Sequence, residues 1–135
     1  MEYLFFLGQI LLSIGLGLVV GWQRHHIGKA AGVRTFALVS FGSTLFTLIS
    51  FNSGALDPSR IAAQVLTGIG FIGAGTIIHK QDGVEGLTTA AGLWAAAAIG
   101  MAVGVGWYWQ AVIATIIMFA VFSFKKRDDR WFHKD

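Results

Sequence analysis

The chain has 135 residues, 55% of them hydrophobic and only 13% charged, with a mean hydropathy of +0.66. An ordinary soluble domain carries roughly 25% charged residues, and a water-soluble core of this size could not hide so much apolar surface. Cysteine is absent, which excludes disulfides, thiolate metal sites and cysteine nucleophiles. The net charge of +3 comes from short loops and a tail, so no nucleic-acid partner is expected.

Charge is missing altogether from Tyr3 to Gln23, from Thr35 to Leu56 and from Gly86 to Phe124. Charge-free apolar runs of about 18 or more residues read as membrane spans. The start, Met1-Glu2-Tyr3, has no basic n-region and no small-residue cleavage site ahead of the first loop. The first span, Leu4 to Trp22, is therefore expected to be a retained helix, not a signal peptide. Gln23 to Arg34 reads as a basic loop, and Thr35 to Phe51 as span two. Asp57-Pro58 then offers a helix start, with an acceptor at the cap and proline in the first turn. Span three is expected over Ser59 to Ile78, followed by a polar loop, His79 to Glu85, turning at Gly83.

As one helix the run from Gly86 to Phe124 would be roughly 58 Å long, against a hydrocarbon core of about 30 Å. It must fold back. The break is expected within Gly104-Val105-Gly106-Trp107-Tyr108-Trp109, where glycines loosen the helix and aromatics suit the headgroup interface. That gives span four (Thr89 to Val105) and span five (Trp109 to Phe124). With five spans, Arg60 alone of the ten lysines and arginines falls on the far side. The expected architecture is thus all-α, an integral membrane bundle of five transmembrane helices, N-terminus outside and C-terminus cytoplasmic. Residues 1–124 form the transmembrane domain. Residues 125–135 form a short basic tail, expected on the inner leaflet.

Gly68-Ile69-Gly70-Phe71-Ile72-Gly73 matches the dinucleotide fingerprint in letters but lies inside an apolar span, without the strand and acidic residue that fingerprint needs. Close helix packing is the better reading. Gly17 and Gly21, and Gly100 and Gly104, also stand four apart. Ala63, Thr67, Gly70 and Ala74 make one small-residue stripe, which marks span three as the expected central helix. Gln64, with Thr67, Gly68, Gly70, Gly73 and Gly75, either packs helices together or lines a path for a solute. Gln9, within span one, and Gln110, near a span end, read as interhelical hydrogen bonders or as path lining in the same way. No carboxylate lies in mid-span, which weighs against an ion-coupled carrier.

Arg34 and Arg60 open spans two and three, where a cation opposes the helix macrodipole. Orientation alone explains either one. An anionic partner, such as a lipid phosphate or Asp57, would suit them better. His25, His26 and His79 share one side of the membrane, and Asp82 with Glu85 could loosely hold Mg²⁺. Solvated loop residues explain both sets, so no metal or other cofactor is expected. No Ser/His/Asp set stands at a common depth, so catalysis is not expected either.

Gly17 to Arg24 and Ala31-Gly32-Val33-Arg34-Thr35 resemble the opening of the MgtC/SapB membrane family. Arg60 to Val65, Gly68 to Gly75, and Gly86-Leu87-Thr88-Thr89-Ala90-Ala91 with Trp94 continue the likeness in order through residues 4 to 124. The resemblance implies a bacterial-type inner-membrane protein linked to growth in low magnesium and, in some members, to survival inside host cells. In some members it implies action on other membrane machines, including the ATP synthase, without transport of Mg²⁺ by the protein itself. A transporter or channel is the alternative, and a homodimer is expected. Arg24, Arg34, Thr35, Arg60, Thr88, Thr89 and Trp94 are the polar and aromatic residues of the shared motifs. The family often has Glu-Arg where this chain has Gln23-Arg24. Virulence members carry Asn and Cys at the positions of Thr88 and Ala95. Many members add a cytosolic ACT-like domain after span five. Only about eleven residues follow here, so sensing by such a domain is not expected of this chain.

Overall fold

The computed structural model describes residues 1–26, 28–54, 57, 59–81 and 83–124. Five helices and one hairpin follow in chain order: α1 (Glu2–His26), α2 (Val33–Asn52), α3 (Ser59–Ala74), β1 (Ile78–Lys80), β2 (Gly83–Glu85), α4 (Leu87–Gly104) and α5 (Tyr108–Ser123). By length and composition α1, α2 and α4 can cross a bilayer. The other two have 16 residues each, about 24 Å of helix at 1.5 Å per residue, somewhat short of a 30 Å core.

The fold-back in the last apolar run falls where its glycines and aromatics stand. α4 ends at Gly104, Gly106 takes a positive φ of 86°, and α5 begins at Tyr108. α3 stops four residues earlier than the apolar run suggests, at Ala74. The chain needs those residues for the hairpin, in which Ile78 pairs with Glu85 and Lys80 with Gly83. Lys80 Nζ reaches Glu85 Oε1 at 2.8 Å. The expected loop is therefore a short antiparallel ladder, and the fold is helical with one hairpin added. Gly86 closes its base at φ 92°, so near the Thr76 carbonyl that a Cβ there would overlap it.

α3 starts at its acceptor. Asp57 Oδ1 takes hydrogen bonds from Ser59 N at 3.0 Å and Ser59 Oγ at 2.6 Å. Those bonds hold the Asp57 carboxyl below its usual range, the Ser59 side chain contributing most. A depressed carboxylate stabilises the fold above its unfolded pKa and loses that effect as pH falls through the folded one. Acidification below the ordinary carboxylate range should thus speed amide exchange at Ser59 and Arg60 and leave mid-α2 unchanged. Pro58 lies outside the described residues.

α4 is the central helix. It touches each of the other four, and Thr89, Gly92, Leu93, Ala96, Ala97, Ile99, Gly100, Val103 and Gly104 are buried along it. This corrects the expectation for span three: in α3 only Ala62, Ile69 and Gly73 are buried. The reason is which glycines meet backbone. A Cβ on Gly17 would stand 2.7 Å from Ala37 Cα, one on Gly21 2.6 Å from Val33 Cα, and one on Gly104 2.6 Å from Thr47 Cβ. At Gly100 it would overlap the Ser40 carbonyl. Gly68 and Gly70 have open space instead.

α2 buries Ser40, Ser43, Thr44, Thr47 and Ser50; Ser40, Thr44 and Thr47 meet α4, and Ser50 Oγ accepts from Ala62 N of α3 at 3.4 Å. In hydrocarbon, small residues and hydroxyls let backbones approach and satisfy each other's polar groups. Thr44 Oγ1 donates 2.7 Å to Gly100 O across the seam, and lies 3.0 Å from its own helix's Ser40 O. Large apolar groups point outward: Leu38, Phe71, Trp94, Trp109, Ile116 and Phe124 are exposed. So many apolar groups on the outer face suit a lipid solvent.

Candidate functional site

The inward face of α1 runs Ile10, Ser13, Gly17, Val20, Gly21, Arg24. The steps of three and four are those of one helix face, and the face ends in a cation. Arg24 therefore belongs to α1 and not to a basic loop, and it is 3% exposed. Its Nη2 donates 3.0 Å to Thr89 Oγ1 in the first turn of α4. Its guanidinium lies 4.3 Å from the centroid of the Phe122 ring on α5. That ring meets Phe36 of α2 edge-on at 6.3 Å, and Gly92 makes room for it: a Cβ there would overlap the ring edge.

The electrostatics are one-sided. Among the described residues no carboxylate pairs with Arg24, the one ion pair being Lys80–Glu85, and Arg24 Nε has no hydrogen-bond partner. The adjacent start of α4 is the positive end of a helix dipole. The aromatic face stabilises the cation by about 0.5–2 kcal/mol, less than the several kcal/mol that burying a charge costs. A buried ionisable residue held at such a cost is a functional candidate. Chemically the site attracts anions and repels divalent cations.

Beside it, Gln23 Nε2 donates to Phe119 O at 3.2 Å and Ser123 Oγ at 2.6 Å, tying α1 to the end of α5. At the opposite end of the bundle Gln9 Nε2 donates 3.1 Å to Val103 O. Gln9 thus bridges two helices, as expected for an amide within a span, and Gln23, expected in the basic loop, lies in α1 and bridges two as well. Gln9→Leu should cost about 1 kcal/mol in denaturant-monitored unfolding in micelles.

The remaining motif residues scatter. Arg34, half-buried Thr35 and exposed Gln64 line a groove between α2 and α3 with a volume of about 680 Å³, and Gly68 lies along it. Thr67, Gly70, Arg60, Thr88 and Trp94 are exposed, as is Gln110. Gly73 abuts Ala90 at ordinary contact distance, 3.5 Å for a Cβ, and Gly75 bonds Phe71 O through its N–H at the end of α3. Asp57 turns to Ser59 and makes no ion pair with Arg60. His26 Nδ1 donates 2.9 Å to Trp22 O, which occupies that nitrogen, and no three His, Asp or Glu groups converge among the described residues. Asp82 and the tail from Lys125 lie outside those residues.

Two signals in the sequence go further than its motifs. The α1 face keeps its period through Arg24, and Ser40-Ser43-Thr44-Thr47-Ser50 repeats at helical spacing. The first locates the buried cation and the second the seam.

The comparisons with known proteins agree with one another. The chain is 38% identical to a protein of Haemophilus influenzae over 98% of its own length and 60% of that relative's. It is 43% identical to the "Putative magnesium transporter YhiD" of Escherichia coli K12, covering 87% of this chain and 58% of the relative. It is 44% identical to "Protein MgtC" of Salmonella typhimurium, covering 82% and 48%. The chain thus spans roughly half to three fifths of the length of these relatives. No solved structure matches it. The sequence model of the MgtC family matches residues 10–131, and this membrane protein belongs to that family.

Proposed function

We propose that the chain is a five-span, inner-membrane protein, N-terminus outside, that serves magnesium homeostasis by modulating another membrane complex rather than by catalysis or by carrying the ion. The tie to magnesium rests on family membership and on the names of the E. coli and Salmonella relatives. The observation that carries the modulator reading is Arg24. A buried cation without a carboxylate partner among the described residues, at the positive end of α4, opposes passage of Mg²⁺ through the bundle and offers an anion receptor to an acidic group of a partner.

The second reading, transport, is favoured by one feature: Gln64, without a hydrogen bond among the described residues, faces the α2–α3 groove. Purified protein in liposomes loaded with a Mg²⁺ indicator separates the two. No flux above empty vesicles, with a membrane complex co-purifying from native membranes, is the expected result. Flux that Gln64→Leu abolishes would replace the modulator by a transporter.

A homodimer through α3 belongs to the same proposal. Ala63, Thr67, Gly70 and Ala74 lie on one face of that helix, and all are exposed. Because the chain has no cysteine, Thr67→Cys gives a clean test. The variant should form a disulfide-linked dimer in membranes under mild oxidation, and a monomer at every oxidant concentration would exclude this interface.

A further inference from the structure

We propose that the groove between α2 and α3 holds one acyl chain of an anionic glycerophospholipid, with the lipid phosphate at Arg34. Three observations carry this. First, the groove is about as long as one acyl chain. Its lining on α2 runs from Arg34 to Phe46 and on α3 from Ile61 to Ile72, about 18 Å and 16 Å of rise at 1.5 Å per residue. Half of a 30 Å hydrocarbon core, the reach of one acyl chain, is about 15 Å, which matches these lengths.

Second, the groove's own lining carries charge at one end only, at Arg34. Arg34 is exposed at the second residue of α2, and no carboxylate pairs with it among the described residues. Its position opposes the α2 macrodipole, so a phosphate there relieves both the guanidinium and the helix start. Among the described residues no acidic side chain lines the groove, and the wall beyond Thr35 is mainly aliphatic.

Third, the groove is built as open space. A Cβ at Gly42 or at Gly68 would meet nothing within 4 Å. These glycines do not serve packing within the chain, unlike those of the α2–α4 seam. They widen a channel whose occupant is supplied from outside. The small-residue face of α3 at Thr67 points about 100° away from Gly68 on the helix wheel, so the groove does not compete with the dimer face.

Native mass spectrometry of the protein, taken from nanodiscs of equal phosphatidylglycerol and phosphatidylethanolamine, tests this directly. One retained phosphatidylglycerol per chain is expected. Arg34→Gln should lower its retention about fivefold, the worth of one basic residue at an anionic surface. Gly68→Leu, which fills open space and leaves the fold intact, should lower retention of either lipid. Equal retention of both lipids by the unaltered chain, or retention unchanged in Arg34→Gln, would overturn the assignment. So would efficient disulfide dimerisation of Gly68→Cys in membranes, since a second copy would then occupy the groove.

Discussion

Gly100→Val separates α2 from α4 and costs about 3 kcal/mol, the upper end of the usual penalty for overpacking. The obstacle decides the size of the effect. An added Cβ runs into the Ser40 carbonyl, and a backbone atom cannot rotate away as a flexible side chain can. Parting the helices also breaks the bond from Thr44 Oγ1 to the Gly100 carbonyl, which in a membrane is worth about 0.6 kcal/mol more. Gly68→Val is the matched control, since its Cβ enters open space and the expected change is within about 0.5 kcal/mol. Denaturant-monitored unfolding in mixed micelles compares the two. Equal losses would mean that the α2–α4 seam is not where backbones touch.

Arg24→Met should leave the fold as stable as before, within about 1 kcal/mol, or more stable, and yet abolish function. A buried ionic group replaced by an apolar one of similar length is often neutral or stabilising. Here the cation has Thr89 and the Phe122 face but no counter-charge among the described residues. Thr89→Val should do the opposite. It keeps the charge and removes its hydroxyl acceptor, at a cost of about 1–3 kcal/mol. The two sites share a bond, so the double variant should resemble Arg24→Met alone rather than the sum. Unfolding measurements give the stability arm. Growth in low magnesium, or recovery of the partner complex from membranes, gives the functional arm. A folded Arg24→Met protein that supports growth fully would remove Arg24 from the mechanism, and with it the reading of this chain as a modulator.

The apolar runs locate every helix because charge cannot be left in hydrocarbon. The fold-back at Gly106 is legible because length alone forbids a single span. The hairpin is not legible, since β1 and β2 have three residues each and no alternation to read. The packing is half legible. Spacing singles out Gly17 with Gly21 and Gly100 with Gly104 as well as the glycines of α3, but spacing cannot say which of them face another backbone. Only the fold separates Gly100, pressed on Ser40, from Gly68, which faces a groove. Arg24 is the sharpest case. Its identity suggests a loop, while its place in the series Gly17, Val20, Gly21 puts it inside, and the helical period wins because α1 runs on to His26.

The close approaches at Gly17, Gly21, Gly100 and Gly104 also limit how this protein can diverge. No residue is smaller than glycine, so a change at any of the four must be answered by a shift of a whole helix. α3 bears no such restraint at Gly68 or Gly70. Variation is therefore to be sought along α3, while α1, α2 and α4 with their glycines drift together or not at all.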